Sequence, residues 1–305
     1  MIDSSIVEEI WSNPRIDQDY ANRLRQLCQS ANQVDAGANN LALLPMLFCE
    51  AHGGYKQQAI PIVTVWNIFR HAARLLDDIE DGHVALSERA ALDLNISTGL
   101  IFTAGYILGD LETDGIPAAV AGEIRQAFYI ALLQTCGGQH GDLLSSPPSL
   151  EKSWQIVGDK SGAGLGLVCW AGGRLACSDK DKLELYRQFG YNLGLLDQIQ
   201  DDLTDLSATE DLGKPSRHSL PVAYALTVLP STEKKILLSL LNTVQTMPTN
   251  EETARRLIMK SGAAVYLITQ ASFYHKQAEQ LLNKMTLPAE IKERLQPLLK
   301  QFYLR

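Results

Sequence analysis

The sequence lacks the features that mark secreted, membrane-spanning and zinc-stabilised proteins. Its five cysteines are scattered and odd in number, and no C-x-x-C pair occurs, which favours reduced thiols over a disulfide or zinc framework. The N-terminus shows no basic segment followed by an apolar run, so no signal peptide is expected. Uninterrupted apolar stretches of about 18 residues are also absent, which argues against a transmembrane helix. We therefore expect a cytoplasmic protein.

Basic residues are fewer than acidic ones, and aromatic side chains are also few. The net charge is −8, and no basic stripe with interleaved aromatic residues is present, which argues against nucleic acid as a partner. Aromatic residues make up 7% of the chain, so π faces that could stabilise a carbocation are not abundant. Apolar residues at 46% and charged residues at 20% are ordinary for a globular protein, and 305 residues suffice to bury a core.

The hydrophobic pattern indicates helices almost throughout. Apolar residues recur with a period close to 3.6, whereas alternating strand patterns are scarce. No low-complexity segment or composition shift marks a linker, so the sequence predicts one all-α domain over residues 1–305, a bundle of ten or more helices. Ser149 and Asp179 are predicted to cap two of these helices. The polar stretch 207–219 is predicted to be a loop, with two or three helices after it.

One predicted helix, Val63 to Asp81, ends in four acids within five residues. Asp77 and Asp81 are four apart and share one face of the helix, with Asp78 beside them. Acids at this end are costly, because the helix dipole places partial negative charge there and the carboxylates repel one another. A bound cation would offset that cost.

A second cluster repeats the D-D-x-x-D spacing 124 positions later, in Asp201-Asp202-Leu203-Thr204-Asp205, again at the end of an apolar helix. Mg²⁺ prefers oxygen ligands and is commonly held by one or two carboxylates plus substrate phosphates. Two such clusters on facing helices could hold several ions and a diphosphate, whose departure the ions would assist by neutralising its charge. The alternative is that each cluster is a solvated helix end, since charge runs usually face water.

The two acidic clusters, with the residues around them, resemble motifs of a known family. LLDDIED and GLLDQIQDDLTD resemble the first and second aspartate-rich motifs of the trans-isoprenyl diphosphate synthases of the polyprenyl synthetase group. The resemblance covers roughly residues 36–305 and is weakest over residues 1–35. Further matches are Gly138-Gln139 with Asp142, Lys160-Ser161, Asp211-Leu212 and Arg217-His218-Ser219-Leu220-Pro221.

The resemblance implies the all-α isoprenoid synthase type I fold around a central cavity, and a homodimer. It also implies that up to three Mg²⁺ ions are bound by six aspartates, namely Asp77, Asp78, Asp81, Asp201, Asp202 and Asp205. By the same resemblance, Lys160 and Arg217 reach the diphosphate of an allylic substrate, assisted by Gln139 and Gln198. Arg217 stands where the family has lysine, which keeps the charge but changes its geometry.

The sequence departs from the family where a second substrate would bind. The family carries G-K-R-x-R-P near its start, whose basic residues bind isopentenyl diphosphate, whereas residues Asn40 to Pro45 here read N-L-A-L-L-P. The family's Arg-Arg pair after the first motif falls on Leu86 and Ser87. A phosphate beside this apolar segment would be desolvated without compensation. Elongation with isopentenyl diphosphate is therefore not expected.

Two arginines precede the first motif. Arg70 stands where the family has histidine, and it shares a helical face with Arg74 and Asp77. One interpretation is an internal ion pair between Arg74 and Asp77 or Asp78. The other is a partial replacement for the lost cations, in which the arginines contact the diphosphate or a carboxylate of the acceptor.

The residues just before the first motif bear on chain length. The family sets product length with bulky residues four and five positions before the first aspartate, and here these are Ala73 and Ala72. By that logic a chain of 15 or 20 carbons or longer would fit, with Phe69 and Trp66 as the floor of the pocket. The alternative for both aromatics is ordinary core packing.

Three functions are consistent with the sequence. The first is a Mg²⁺-dependent prenyltransferase that ionises an allylic prenyl diphosphate and passes the prenyl group to an acceptor other than isopentenyl diphosphate. The second is a terpene synthase, in which the cation is quenched within its own chain. The third is a non-catalytic subunit of a heteromeric prenyl diphosphate synthase, against which the intact aspartates argue.

Overall fold

The 3.6-residue period is realised as helices throughout the computed structural model, which describes residues 2–35, 40–80, 88–143, 149–207, 219–243 and 248–302. Within these ranges there is no strand, and the all-α prediction with ten or more helices is confirmed. The α-helices are α1 Ser4–Trp11, α2 Gln18–Asp35, α3 Leu44–Glu50, α4 Ile60–Glu80, α5 Glu88–Gly109, α6 Ala118–Asp142, α7 Leu150–Val157, α8 Ala163–Arg174, α9 Lys180–Ser207, α10 Leu220–Val228, α11 Ser231–Thr243, α12 Pro248–Lys260, α13 Ala263–Lys284 and α14 Ala289–Lys300.

The chain divides into two compact units. The first comprises Met1–Ile130, Leu167–Arg187 and Met285–Gln301, and the second comprises Ala131–Gly166, Gln188–Lys284 and Phe302–Arg305. Helices α6, α8 and α9 contribute residues to both units. The single domain expected over residues 1–305 stays a prediction.

The first unit is built on α4 packed along α5. Helix α4 begins at Ile60, three residues before the predicted start, because Pro61 lies in the first turn, where its missing N–H leaves no intrahelical hydrogen bond unmade. The buried Trp11 of α1 donates its indole N–H to Thr103 of α5 over 3.1 Å, which fixes α1 on this pair.

Helix α5 is also the one described helix that is long and apolar enough to cross a membrane by length and composition alone. Its mean hydropathy is 1.3 over the most apolar window, and 44% of that window is buried inside the protein. The same values are common for a core helix of a soluble protein, and the expected absence of a transmembrane segment stays a prediction.

Short apolar segments pack closely around α3. A 3-10 turn over Asn40–Leu43 leads into α3, and Pro45 lies in its first turn. Gly172 of α8 permits this contact, since a Cβ there would stand 2.2 Å from the carbonyl oxygen of Pro45. The chain turns away after α3 at Gly53, whose φ of +77° favours glycine, as the Gly53-Gly54 break predicts.

Helices α7 and α8 are joined by a π-helical turn. Ser149 caps α7 as predicted, accepting the backbone N–H of Lys152 over 3.2 Å. From Leu150 the chain stays helical to Arg174, the end of α8, with a π-helix over Gly158–Gly162 between α7 and α8. Glycine is required here, because a Cβ at Gly162 would stand 2.6 Å from the Tyr191 ring.

Five described helices follow Ser219, rather than the predicted two or three. The extra breaks are very short: two residues at Leu229-Pro230 separate α10 from α11, and two at Ser261-Gly262 separate α12 from α13. Gly262 has a φ of +83°, which ends α12 without any loop. The core of this part of the chain consists of Leu206, Val222, Ala225, Leu229, Leu237, Leu241, Ala254, Ile258 and Ala263.

Candidate active site

The first acidic motif lies at the C-terminal end of α4, as predicted. Asp77 is half-buried and Asp78 is exposed, while Asp81 lies outside the described residues. One and two turns earlier on the same helix, Arg74 is exposed and Arg70 is half-buried. Arg70, Arg74 and Asp77 thus lie on one continuous helix, and a role for the two arginines in binding the diphosphate or an acceptor stays a prediction.

The predicted pocket residues have mixed surroundings. Ala72 is buried, whereas Ala73 is exposed. Phe69 is buried and stacks on Phe128 with ring centroids 6.5 Å apart, an arrangement that fits core packing. Trp66 is half-buried, and its indole nitrogen has no hydrogen-bond partner among the described residues. A pocket role for these four residues stays a prediction.

Two of the residues that replace the family's basic residues, Leu41 and Leu44, are part of the core, while Ala42 is half-buried. Leu44 is 0% exposed and Leu41 is 5% exposed. Buried leucine side chains supply no charge that could compensate the desolvation of a phosphate group. Leu86 and Ser87, the other positions where family arginines are missing, lie outside the described residues.

The second acidic motif lies near the end of α9, in the second unit. Asp201 and Asp205 are exposed, but Asp202 is only 6% exposed. The Asp202 carboxylate accepts the amide N–H of Gln198 at Oδ1 over 3.1 Å and the backbone N–H of Leu220 at Oδ2 over 3.2 Å. Burial raises the pKa of Asp202 to about 7, the two hydrogen bonds oppose that rise, and the neighbouring Asp205 and Asp201 add to it.

Lys160 lies in the π-helix of the same unit. Its ammonium group donates to Asp142 Oδ2 over 2.7 Å, and both side chains are largely buried. The next residue, Ser161, donates its hydroxyl to Gln198 Oε1 over 3.1 Å. Gln139 is half-buried on α6, next to Gly138, where a Cβ would stand 3.0 Å from Lys160 Cγ. The structure thus brings Lys160 close to α6, while Arg217 lies outside the described residues.

Two residues near these motifs were missed as site residues by sequence reasoning. The resemblance to the family includes Asp142 but assigns it no role, and in the structure it forms an ion pair with Lys160. Arg255 of α12 donates to the backbone carbonyl of Asp205 over 2.8 Å and pairs with Glu251 over 3.0 Å. A cation at the end of α9 offsets the dipole and the acid cluster there. Because Arg255 follows Asp205 by 50 residues, no local motif signals the contact.

A family model for polyprenyl synthetases matches residues 22–260, which include both acidic motifs. The chain belongs to the polyprenyl synthetase family. As a polyprenyl synthetase it has the all-α fold of the prenyl synthases, and the expected membership of this family is confirmed.

Three relatives of this polyprenyl synthetase indicate the range of the family. A short chain isoprenyl diphosphate synthase from Methanocaldococcus jannaschii is 26% identical over 61% of each chain, so the chain spans about three-fifths of that relative. A geranylgeranyl diphosphate synthase from Sulfolobus acidocaldarius is 24% identical over 82% of this chain and 79% of its own. Heptaprenyl diphosphate synthase component 2 from Bacillus subtilis is 26% identical over 84% of this chain and 75% of its own.

Solved structures show the same fold. A geranylgeranyl pyrophosphate synthetase from Pyrococcus horikoshii superimposes with a TM-score of 0.79 at 20% identity, covering 99% of this chain and 96% of its own. A polyprenyl synthetase from Streptomyces coelicolor superimposes with a TM-score of 0.71 at 23% identity, covering 86% and 83%. At these identities the likeness concerns the fold alone.

The residues predicted to bind metal in this polyprenyl synthetase are carboxylates, a type of ligand that suits Mg²⁺. Among the described residues, no three His, Cys, Asp or Glu side chains lie close enough together to hold one metal ion. Mg²⁺ does not need such a cage, because it keeps several waters and is commonly bound by one or two carboxylates with substrate phosphates. The exposed carboxylates Asp78, Asp201 and Asp205 offer oxygen ligands of that kind.

Proposed function

We propose that this polyprenyl synthetase is a Mg²⁺-dependent enzyme of isoprenoid metabolism that ionises one allylic prenyl diphosphate of 15 or 20 carbons or longer. The prenyl group then passes to an acceptor other than isopentenyl diphosphate. The observation that carries this proposal is the burial of Leu41 and Leu44, at 5% and 0% exposure, where the family has basic residues.

A second diphosphate would be desolvated here without compensation. Isopentenyl diphosphate is multiply charged, so its binding site must supply cations to replace its hydration. Here α3 begins with Leu44 in the core, and the backbone of Pro45 touches Gly172. A phosphate placed against this segment would lose water and gain no partner, whereas an uncharged or aromatic acceptor would face no such penalty.

The first diphosphate has suitable partners in the proposal. Of the six aspartates predicted to bind Mg²⁺, Asp77, Asp78 and Asp81 of the first motif and Asp201 and Asp205 of the second would hold the ions, whereas the sixth, Asp202, is buried. Bound Mg²⁺ supplies Lewis-acid stabilisation of the departing diphosphate. Lys160 would bind the diphosphate together with Arg217, Gln139 and Gln198, and its pairing with Asp142 holds its ammonium group in place beforehand.

We also propose that the enzyme is a cytoplasmic homodimer. On the first unit, α5 and α6 expose a cluster of large apolar side chains, which we call the α5–α6 face: Phe102, Tyr106, Tyr129 and Ile130. Phe102 is 73% exposed and Tyr106 is 62% exposed. An exposed apolar cluster of this kind is typical of a protein–protein interface.

A second candidate function is a subunit of a heteromeric prenyl diphosphate synthase. The name of the Bacillus subtilis relative, heptaprenyl diphosphate synthase component 2, favours it. In that case another chain would supply the missing partners for isopentenyl diphosphate, and the isolated protein would be inactive.

The test is an incubation of the purified protein with Mg²⁺ and geranyl, farnesyl or geranylgeranyl diphosphate, each with and without isopentenyl diphosphate. Released diphosphate is measured and products are identified by mass spectrometry. We expect diphosphate release from the longer allylic substrates, with no elongated diphosphate. Asp201→Ala should abolish release, whereas Asp181→Ala, an exposed aspartate in the first turn of the same helix, should not.

Three other outcomes would contradict the proposal or favour a different function. Efficient formation of a longer diphosphate would contradict the proposal. A hydrocarbon or alcohol formed from the allylic substrate alone would identify a terpene synthase. No release under any condition, with Asp77→Ala indistinguishable from the parent, would favour the heteromeric subunit.

A further inference from the structure

Asp202 is more deeply buried than the other described aspartates of the two motifs. Both of its carboxylate oxygens accept hydrogen bonds, from Gln198 Nε2 over 3.1 Å and from the backbone N–H of Leu220 over 3.2 Å. Asp202 is 6% exposed, while its neighbour Asp201 is exposed. A Mg²⁺ ligand in a diphosphate site shares its ion with several waters, so it needs access to solvent. Asp202 has little such access.

The hydrogen bonds continue from Asp202 to the π-helix. An amide side chain has its acceptor and its donors on opposite sides. Because Gln198 donates to Asp202, its Oε1 is turned towards Ser161, whose hydroxyl donates to it over 3.1 Å. Asp202 therefore determines which end of the Gln198 amide meets Ser161.

The backbone of Ser161 in the π-helix packs closely against α9. Its carbonyl lies against Gly194 of α9, where a Cβ would stand 2.3 Å from the carbonyl oxygen. Lys160 is the preceding residue, and its ammonium group is paired with Asp142 over 2.7 Å. A shift of Ser161 would move the Lys160 backbone in the same turn and disturb the position of its ammonium group.

We propose that Asp202 is a positioning residue and not a Mg²⁺ ligand. Through Gln198 and Ser161 it holds the π-helical turn that presents Lys160, and through the Leu220 N–H it anchors the start of α10. The proposal rests on the proposed function only in that Lys160 binds the substrate diphosphate.

Asp202→Asn separates positioning from metal binding. The asparagine oxygen can accept from the Leu220 N–H while its NH₂ group donates to Gln198. The Gln198 amide then turns over and donates to the Ser161 hydroxyl, so that the chain of hydrogen bonds persists with reversed polarity. A metal ligand would lose its charge in the same variant. Asp201→Asn is the matched control on the adjacent exposed carboxylate, and Asp202→Ala removes the chain of hydrogen bonds altogether.

Two measurements distinguish these roles. Calorimetric titration of Mg²⁺ with inorganic diphosphate should give Asp202→Asn an affinity within about threefold of the parent. Asp202→Ala should lose about tenfold or more, as is typical when a residue supporting a binding group is removed. Backbone hydrogen exchange in Gly158–Gly162 should rise in Asp202→Ala and be unchanged in Asp202→Asn.

Loss of affinity in Asp202→Asn as large as that in Asp201→Asn would overturn the proposal. Unchanged hydrogen exchange in Asp202→Ala would also overturn it. If Asp202→Ala does not fold, Ser161→Ala breaks the same chain at its other end and takes its place in both measurements. The exchange measurement needs no substrate. A parent that binds Mg²⁺-diphosphate but releases none from allylic substrates would therefore contradict the proposed function and leave the role of Asp202 testable.

Discussion

Individual side chains in the first unit show how burial changes their chemistry. His52 lies just after α3, with its Nε2 2.7 Å from the hydroxyl of Tyr186, a buried side chain that stacks on Phe48 at 4.4 Å. Partial burial lowers the pKa of His52 from 6.5, nearby Lys182 lowers it further, and Asp179 partly opposes this. The folded protein thus favours the neutral imidazole.

This lowered pKa predicts a pH-dependent stability. Because His52 has a lower pKa folded than unfolded, its contribution is fully present above pH 6.5 and is lost as the pH falls towards the folded pKa. His52→Gln should remove that part of the slope. Urea unfolding at several pH values between about 5 and 8 measures it. Parallel curves for parent and variant would show that His52 does not contribute.

Replacement of Lys160 tests its proposed contact with the substrate diphosphate. Replacing it with glutamine removes the charge opposite the substrate diphosphate and leaves Asp142 partly buried without its cation. We expect an increase in KM for the allylic diphosphate of about 30-fold or more, as for other truncated partners of buried charge pairs. Lys152→Gln, an exposed lysine on α7, is the control. An unchanged KM in Lys160→Gln would exclude the proposed contact.

At the level of helices, local chemistry predicts where α7 and α9 begin. Ser149 caps α7, and Asp179 accepts two backbone N–H groups in the first turn of α9, as its position before an apolar period suggests. The π-helix at Gly158–Gly162 could not be predicted, because its glycines are required by Tyr191, some 30 residues later, rather than by any local pattern.

The same distinction holds for the candidate site. The acids at the ends of α4 and α9 follow from spacing, since residues four apart share a helical face. The burial of Asp202 does not, because it depends on the backbone of Leu220, 18 residues later. The pairing of Lys160 with Asp142, and of Arg255 with the end of α9, likewise depends on contacts between different helices.

Gly194 provides a prediction about the contact between α9 and the π-helix. Gly194→Ala places a Cβ 2.3 Å from the Ser161 carbonyl oxygen, so the turn that carries Lys160 must move. We expect destabilisation of about 1–3 kcal/mol and a loss of about tenfold or more in kcat/KM. Gly122→Ala is the control, because a Cβ there has open space and alanine favours the helix. Equal activity in the two variants would contradict this account of the turn.

For the whole molecule, the α5–α6 face predicts the oligomeric state. Phe102→Glu places a charge in the proposed interface, and because Phe102 is 73% exposed the fold of each chain should tolerate it. Light scattering should show a dimer for the parent and a monomer for the variant. Val265→Glu, at a similarly exposed apolar position on α13, should leave the dimer intact. A monomeric parent, or dissociation by Val265→Glu alone, would contradict the assignment.

We propose that the enzyme binds one diphosphate substrate, because Leu41 and Leu44 stand where the family has the cations of the second site and are buried. The most direct measurement is calorimetric titration of isopentenyl diphosphate into protein saturated with Mg²⁺ and a non-ionisable thiolo analogue of farnesyl diphosphate. We predict no saturable binding. A dissociation constant below about 100 μM, or about −5.5 kcal/mol of binding free energy, would contradict the claim.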